Sequence, residues 1–333
     1  MGALDGLSIL ITGGTGSFGK AFVDKALREH NVKRLVVYSR DELKQFEMEQ
    51  TYNAPNLRYF IGDVRDEKRL NRAFQGIDVV VHAAALKQVV AAEYNPIECI
   101  MTNVMGAENI INAAMNAGVK KVLALSTDKA VNPINLYGAT KLCSDKLFTA
   151  ANNMSGFGGC KYAAVRYGNV IGSRGSVVPV FENQKASGVV TITDPRMTRF
   201  WLTIEQGVDF VIRSLGMMEG GEVFVPKIPS MRIVDLATAV APQCQQKVIG
   251  IRPGEKLHEV LIPTDEARQT YEYDDFYVIT PAMHMWNADF KVNYGAGDAK
   301  LVSEDFEYAS GNNSYWVSGD ELLKMLSGEA LSE

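Results

Sequence analysis

A cluster of glycines set between two different hydrophobic periods constrains this chain most. The run Leu7 to Thr12 (LSILIT) is apolar and β-branched, as a buried strand is. Gly13-Gly14-Thr15-Gly16-Ser17-Phe18-Gly19 follows, and from Ser17 to His30 the apolar residues recur at helical spacing. Gly13, Gly16 and Gly19 read G-x-x-G-x-x-G. Without a Cβ, the backbone turns tightly and comes close to a pyrophosphate at the positive N-terminus of a helix. A glycine motif alone is weak, but its place after a first strand and before a first helix gives it meaning. Thr15, Ser17 and Phe18 lie in the same turn and join the glycines as candidate cofactor contacts.

The alternation continues. Strand-like runs at Arg34 to Ser39, Leu57 to Gly62, Asp78 to Ala84, Lys121 to Ser126 and Tyr162 to Val170 are separated by helical patterns. These fall at Glu42 to Tyr52, Glu67 to Phe74, Pro96 to Ala117 and Leu136 to Asn152. This predicts an α/β protein with a doubly wound parallel sheet of six or seven strands, Rossmann-type. After about Gly172 the rhythm gives way to Gly, Pro and short apolar pieces, which predicts a smaller mixed α/β lobe. Thr203 to Leu215 and Glu222 to Val225 read as one more helix and strand returning to the sheet. The expected division is therefore 1–171 with 201–226 for the dinucleotide-binding domain, and 172–200 with 227–333 for a discontinuous substrate lobe.

Composition excludes several functions. With 47% apolar and 22% charged residues in 333, the chain is neither disordered nor fibrous, and its length suits one or two domains. A net charge of −5 removes the footprint of a general nucleic-acid binder. No apolar run approaches the roughly 20 residues of a bilayer span. The N-terminal run has no basic segment before it and reads as a strand, not a signal peptide, so a cytoplasmic location is expected. The four cysteines form no C-x-x-C pair, and His258-Glu259 lacks a second His four residues after the first, so no metal is expected.

About twenty residues past the last glycine, an NAD site carries an acidic residue for the ribose 2′-OH. Here stand Ser39 and Arg40, with Lys44 a turn later, a set that suits the 2′-phosphate of NADP. Asp41 argues the other way, or is simply a helix N-cap. Asp63 and Val64, ending the third strand, are placed for an adenine edge, although Asp63 could equally be an ordinary turn aspartate.

Chemistry is concentrated near the fifth strand. Tyr137 and Lys141 stand at i and i+4, one above the other on a helix face, so a cation can stabilise a phenolate that acts as a base toward an alcohol. Ser126-Thr127-Asp128-Lys129 lies where that strand ends, and strand C-termini in this architecture face the ligand crevice. A hydroxyl, a carboxylate and an amine are thus brought together ten residues before the Tyr. The plainer alternative is a polar turn capped by Asp128.

The strings TGGTGSFG, SRDELKQFE, GDVRD, HAAALK, ALSTDKAVNP, NLYGATK, RYGNVIGSRGSVVP, ITDPRMTRFW and GIRPGEKLHE resemble the extended short-chain dehydrogenase/reductase superfamily. Within it they are similar to the inverting UDP-N-acetylglucosamine 4,6-dehydratases of pseudaminic-acid biosynthesis, over nearly the whole chain. The resemblance implies that Tyr137, with Lys141, takes the proton of the C4 hydroxyl while NADP+ takes the hydride, and that Thr127 holds that oxygen. Lys129 stands where ordinary nucleotide-sugar 4,6-dehydratases carry Glu. It would abstract the C5 proton, and Asp128 would assist loss of the C6 hydroxyl as water; hydride then returns to C6 and a proton reaches the opposite face of C5. The resemblance further implies that Ala83, Lys87, Val170 and Arg174 touch the cofactor. Lys87, Asn169, Val178, Thr193, Arg199, Arg252 and Glu255 would hold the UDP-sugar, and the assembly would be a homo-oligomer.

This mechanism makes a physical demand. An ordinary lysine is only about 0.04% neutral at pH 7, so Lys129 would need its pKa lowered by burial or by neighbouring positive charge such as Lys141, against the pull of Asp128. A UDP-sugar 4-epimerase shares the Tyr and Lys but needs no Asp-Lys pair. A non-catalytic NADP-sensing protein of the same fold would usually have lost the Tyr or the Lys. A membrane-anchored relative giving the retained C5 configuration is the third alternative.

Overall fold

The computed structural model describes residues 2–156, 158–171, 177–282, 294 and 299–327. The first half is a regular winding of strand and helix. β1 (Ser8–Thr12), β2 (Arg34–Ser39), β3 (Leu57–Ile61), β4 (Val79–His82), β5 (Lys121–Thr127) and β6 (Lys161–Tyr167) alternate with α1 (Ser17–Glu29), α2 (Glu42–Thr51) and α3 (Glu67–Ala73). Between β4 and β5 come α4 (Val89–Tyr94), α5 (Pro96–Ile100) and α6 (Gly106–Ala117), and α7 (Leu136–Ser155) separates β5 from β6. β1 and β4 are buried along their whole length, because helices cover both faces of a parallel sheet.

The expected helix from Pro96 to Ala117 is broken. Residues Met101–Met105 form a π-helical turn between α5 and α6, and such bulges often serve a functional position. Its Asn103 is buried and accepts the Leu86 amide at 2.8 Å. It also donates to the Leu86 carbonyl at 2.9 Å and to Thr140 Oγ1 on α7 at 3.0 Å. The bulge thereby ties the loop after β4 to α7.

The second half begins with β7 (Asn169–Val170), α8 (Val177–Gln184), β8 (Val189–Ile192) and β9 (Thr198–Leu202). α9 (Ile204–Met217) starts with a capping box between Thr203 and Gln206, and β10 (Val223–Pro226) pairs in parallel with β6. Then follow β11 (Ser230–Arg232), α10 (Ile233–Val240), β12 (Gln245–Val248) and β13 (Val260–Ile262). The last elements are β14 (Thr270–Glu272), β15 (Phe276–Ile279), β16 (Lys300–Leu301), β17 (Tyr308–Ala309) and α11 (Gly319–Ser327).

Among the described residues the main sheet has ten strands in the order β16-β14-β15-β10-β6-β5-β4-β1-β2-β3. Seven are parallel, as the strand and helix alternation predicts, in the doubly wound order. The other three, β15, β14 and β16, add on antiparallel. Residues the sequence reading places in the substrate lobe thus extend the main sheet; their short pieces lack the βα spacing that would have signalled it. A separate apolar core containing Val178, Phe181, Trp201, Met231 and Leu236 lies under α8, α10 and α11.

Candidate active site

The chain reverses its winding between β1 and β4, and the C-terminal ends of these strands open the crevice where such sheets bind ligands. Gly13 has φ +66°, and a Cβ there would lie 2.9 Å from the Ala84 Cα, so only glycine lets the two loops touch. A Cβ on Gly19 would meet Gly14 at 2.4 Å, which makes Gly19 the close contact between α1 and the strand end. Gly16 is the N-cap of α1 and brings no side-chain cap. The first turn, with Ser17 and Phe18, carries no acid, so its amides are left for an anion.

Thr12 and His82 fasten the crevice floor. Thr12 Oγ1 accepts the amides of Ala83 and Ala84, both at 3.2 Å, and lies 2.9 Å from His82 Nδ1. With two donors already on it, the hydroxyl donates to Nδ1, so that nitrogen is unprotonated. Burial, then the charge of Lys141, pushes the imidazole down to about 3.

Beyond β2, Ser39 Oγ accepts from Thr15 Oγ1 at 3.2 Å and from Gln45 at 3.1 Å. Arg40 is exposed, 3.6 Å from Asp63. Asp41 is the N-cap of α2, accepting the Lys44 amide, and it also pairs with the Lys44 ammonium. Lys44 is therefore engaged within its own turn. Asp63 accepts the Arg65 amide and guanidinium, at 2.9 and 2.7 Å, the work of a turn aspartate. Burial raises its carboxyl, and the Arg65 hydrogen bonds more than reverse that. Val64 is buried against Gly106.

The end of β5 holds the reactive groups. Thr127 Oγ1 donates to Asp128 Oδ1 at 2.8 Å, and Lys129 Nζ donates to the same oxygen at 2.9 Å and to Asn169 Oδ1 at 3.2 Å. Asp128 is fully buried, and its second oxygen has no hydrogen-bond partner among the described residues. Tyr137 comes beside them on α7. A Cβ on Gly138 would sit 2.1 Å from the Lys129 carbonyl, so glycine after the tyrosine is what allows α7 to press against this turn. Asn135 caps α7 by accepting the Gly138 amide at 2.8 Å, and its own amide donates to the Gly254 carbonyl at 2.8 Å. The segment of Arg252 and Glu255 is thus tied to the helix carrying the tyrosine.

Electrostatics here run against the demand of the mechanism. Burial pulls Lys129 down, but Asp128 and Glu259 outweigh it, and the amine is held above the ordinary lysine range with Arg199, not Lys141, opposing them. Tyr137 is pushed up to about 12 by burial, and the cation that pulls it down is Lys129. Lys141 is buried and makes no hydrogen bond among the described residues. Burial lowers it, while Asp145, one turn further along α7, sustains its charge. Asp145 in turn accepts from Ser126 Oγ at 2.5 Å and lies 3.8 Å from Arg166. Lys87 is lowered by burial and by the charge of Lys129.

The substrate candidates divide. Asn169 reaches Lys129, and Val170 is half-buried beside it. Val178 is buried in the core of the second lobe, and Thr193 is half-buried just past β8. Arg199 is buried, and its guanidinium donates to the carbonyls of Thr198 at 2.6 Å, Lys256 at 3.0 Å and Leu257 at 3.2 Å. As placed, it braces the 256–257 backbone and does not stand free for a phosphate. Arg252 is exposed, 3.9 Å from Glu255. Arg174 lies outside the described residues.

Sequence reasoning missed Glu259 and Lys256, which complete the Lys129 cluster, and Asp145. The i+4 spacing of Asp145 from Lys141 was readable on the helix. Glu259, 130 positions from Lys129 in sequence, left no such signal.

A strand-ordered crevice with a glycine turn, and a Thr, Tyr and Lys set beyond β5, define a Rossmann-type extended short-chain dehydrogenase/reductase. The chain belongs to the polysaccharide biosynthesis protein family, whose family model matches residues 9–281. It is 54% identical over 323 residues to a Campylobacter jejuni protein named UDP-N-acetylglucosamine 4,6-dehydratase (inverting), covering 96% of this chain and 97% of that one. It is 44% identical over 280 residues to a Rickettsia conorii protein named UDP-glucose 4-epimerase, covering 82% of each. Among solved structures, Pen from Bacillus thuringiensis superposes with a TM-score of 0.87 at 36% identity, covering 98% of both chains.

Proposed function

We propose that this chain is a UDP-N-acetylglucosamine 4,6-dehydratase that inverts C5, giving a 4-keto-6-deoxy sugar nucleotide. The observation that carries the proposal is the Asp128–Lys129 pair, hydrogen-bonded at 2.9 Å beside Thr127 and Tyr137. Oxidation at C4 needs only the tyrosine and its cation, whereas loss of water across C5 and C6 needs a second acid and base. The likeness to the Campylobacter dehydratase supports the same reading.

The crevice suits a nicotinamide dinucleotide. A Cβ would fill the cradle at Gly13, the amides of α1 are uncapped, and Lys141 is a buried ammonium without a hydrogen bond among the described residues. Gly13, Gly16 and Gly19 would admit the pyrophosphate, Arg40 and Ser39 the 2′-phosphate of NADP, and Lys141 the ribose beside the nicotinamide. When bound, the cofactor supplies a hydride acceptor that later returns the hydride.

The chain's own groups do the rest. Tyr137 takes the C4 hydroxyl proton, with Thr127 holding the oxygen. The ketone acidifies the C5 hydrogen; transfer of the Lys129 proton to Asp128 across their hydrogen bond leaves a neutral amine that takes the C5 proton and a carboxylic acid that gives its proton to the departing C6 hydroxyl. Protonation on the opposite face of C5 sets the inverted centre. Arg252 and Glu255, held near α7 by Asn135, would meet the nucleotide. The product would feed pseudaminic-acid synthesis, and the working form would be a homo-oligomer in the cytoplasm.

Proton NMR of the purified protein with UDP-N-acetylglucosamine in D2O tests this. An L-arabino 4-keto-6-deoxy sugar carrying deuterium at C5 is expected. A D-xylo product would remove the inversion. The likeness to the Rickettsia epimerase favours a second reading, and UDP-N-acetylgalactosamine as the sole product would establish it in place of the first.

A further inference from the structure

Glu259 has no part in the chemistry proposed above, yet it is placed as a component of it. Its side chain is buried just before β13, and three cations converge on it: Lys129 at 3.6 Å, Arg199 at 3.7 Å and Lys256 at 3.7 Å. At these distances none of the contacts is a hydrogen bond, and Oε2 has no hydrogen-bond partner among the described residues. A buried carboxylate without hydrogen bonds is costly unless neighbouring charge compensates it. Here the compensation comes in part from the amine that the proposed reaction needs.

The backbone of Glu259 is fixed on both sides. Its amide donates to Ser310 Oγ at 2.9 Å, and its carbonyl accepts the Ser310 amide at 2.8 Å. Ser310 Oγ lies 2.7 Å from Thr198 Oγ1, the residue before Arg199. One clamp thus holds the carboxylate and the guanidinium beside it in a set relation to the end of β5.

We infer that Glu259 is a positioning residue that governs the protonation state of Lys129 from the second lobe. This rests on the reading of Lys129 as the base at C5. Among the described residues, the charged and titratable groups facing Lys129 are Asp128 from its own turn, Glu259, Arg199 from β9, Lys256, Lys87 after β4 and Tyr137 from α7. Of the two carboxylates, Asp128 is hydrogen-bonded to the amine and belongs to the same turn. Glu259 acts through space alone, from a segment that also carries Arg252 and Glu255. The charge of Lys129 is therefore coupled to the part of the chain proposed to meet the nucleotide. The amine is held above the ordinary lysine range in part by this carboxylate.

The test is the pH at which Lys129 becomes reactive toward an amine-selective acylating reagent, followed by peptide mass spectrometry on the full chain without substrate. In Glu259→Gln the onset is expected to move down by about one pH unit or more. Below the onset, each unit means about tenfold more neutral amine. Deuterium exchange at C5 of UDP-N-acetylglucosamine should move down with it. An unmoved labelling onset, or one moved up, overturns the inference, whatever happens to overall turnover.

Should Glu259→Gln give no cooperative thermal transition, Glu259→Asp serves instead. Shortening the side chain draws the carboxylate away from Lys129 and should move the onset down; an onset unmoved or moved up overturns the inference. Absence of C5 exchange by the unaltered enzyme would refute the reading of Lys129 as base. The labelling onset would still decide, by itself, whether Glu259 sets the charge of Lys129.

Discussion

At the scale of single residues, three side chains separate the steps. Tyr137→Phe removes the group that receives the C4 proton, and the change should cost at least about a hundredfold in turnover, with cofactor binding retained. Absorbance of the reduced nicotinamide in a single turnover would report it, and a signal equal to that of the unaltered enzyme would exclude the tyrosine from this role. Lys129→Ala should leave C4 oxidation possible while abolishing C5 exchange in D2O; full exchange would remove Lys129 from the mechanism. Arg40 is exposed, and Asp63 at 3.6 Å is its one ion-pair partner among the described residues. Arg40→Ala should therefore weaken NADP and leave NAD unchanged in calorimetric titration, whereas equal effects on both would mean that Arg40 does not read the 2′-phosphate. Residue identities at these places are legible, since glycine spacing and the i, i+4 pair carry their meaning locally. Their charge states are not. The mechanism asks for a Lys129 lowered by burial or by a cation such as Lys141, against the pull of Asp128; the amine is instead raised, because Asp128 and, from far along the chain, Glu259 outweigh burial.

At the scale of elements, the fold rests on how strand ends are tied. His82 closes β4 by accepting the Thr12 hydroxyl, and its imidazole is held neutral, pushed down to about 3 by burial and then by Lys141. A histidine depressed in the fold contributes stability that is present above its unfolded pKa near 6.5, and that stability is lost as pH falls toward the folded value. The chain should lose about 2 kcal/mol on this account between pH 7 and pH 5. Urea titrations at the two pH values check it, with His82→Gln expected to lose less over the same interval. An equal loss in both proteins would mean that His82 is not the titrating group. The strands and helices of the first half are readable because each has one period and a clear stop. The π-helical turn at Met101–Met105 is not. Its apolar pattern is that of a continuous helix, and the break becomes apparent only in the bonds Asn103 makes to Leu86 and Thr140.

At the scale of the whole molecule, the site is assembled across two parts of the chain. Asn135 caps α7 and also bonds the Gly254 carbonyl, so one side chain serves both helix stability and the alignment of the two parts. Asn135→Ala should lower unfolding stability by about 1 kcal/mol, as loss of a cap does. It should also raise KM for the sugar nucleotide more than it changes the affinity for the dinucleotide. A stability change with KM unmoved would confine Asn135 to capping. Seven parallel strands are legible from the βα rhythm. The antiparallel strands β15, β14 and β16 are not, because the pieces from Thr270 to Leu301 are short and lack the helical spacers that mark the parallel strands.

The clamp on Glu259 also bears on the order in which the protein matures. Strands β1 to β6, with α9 and β10 that pack in the same core, are complete by Pro226, so the parallel sheet can take shape before the rest of the chain emerges during synthesis. The Lys129 centre cannot. The backbone that carries its buried carboxylate is fixed only when Ser310 arrives and bonds the Glu259 amide and carbonyl. The parallel sheet of a nascent chain is thus in place well before the surroundings of Lys129 are set.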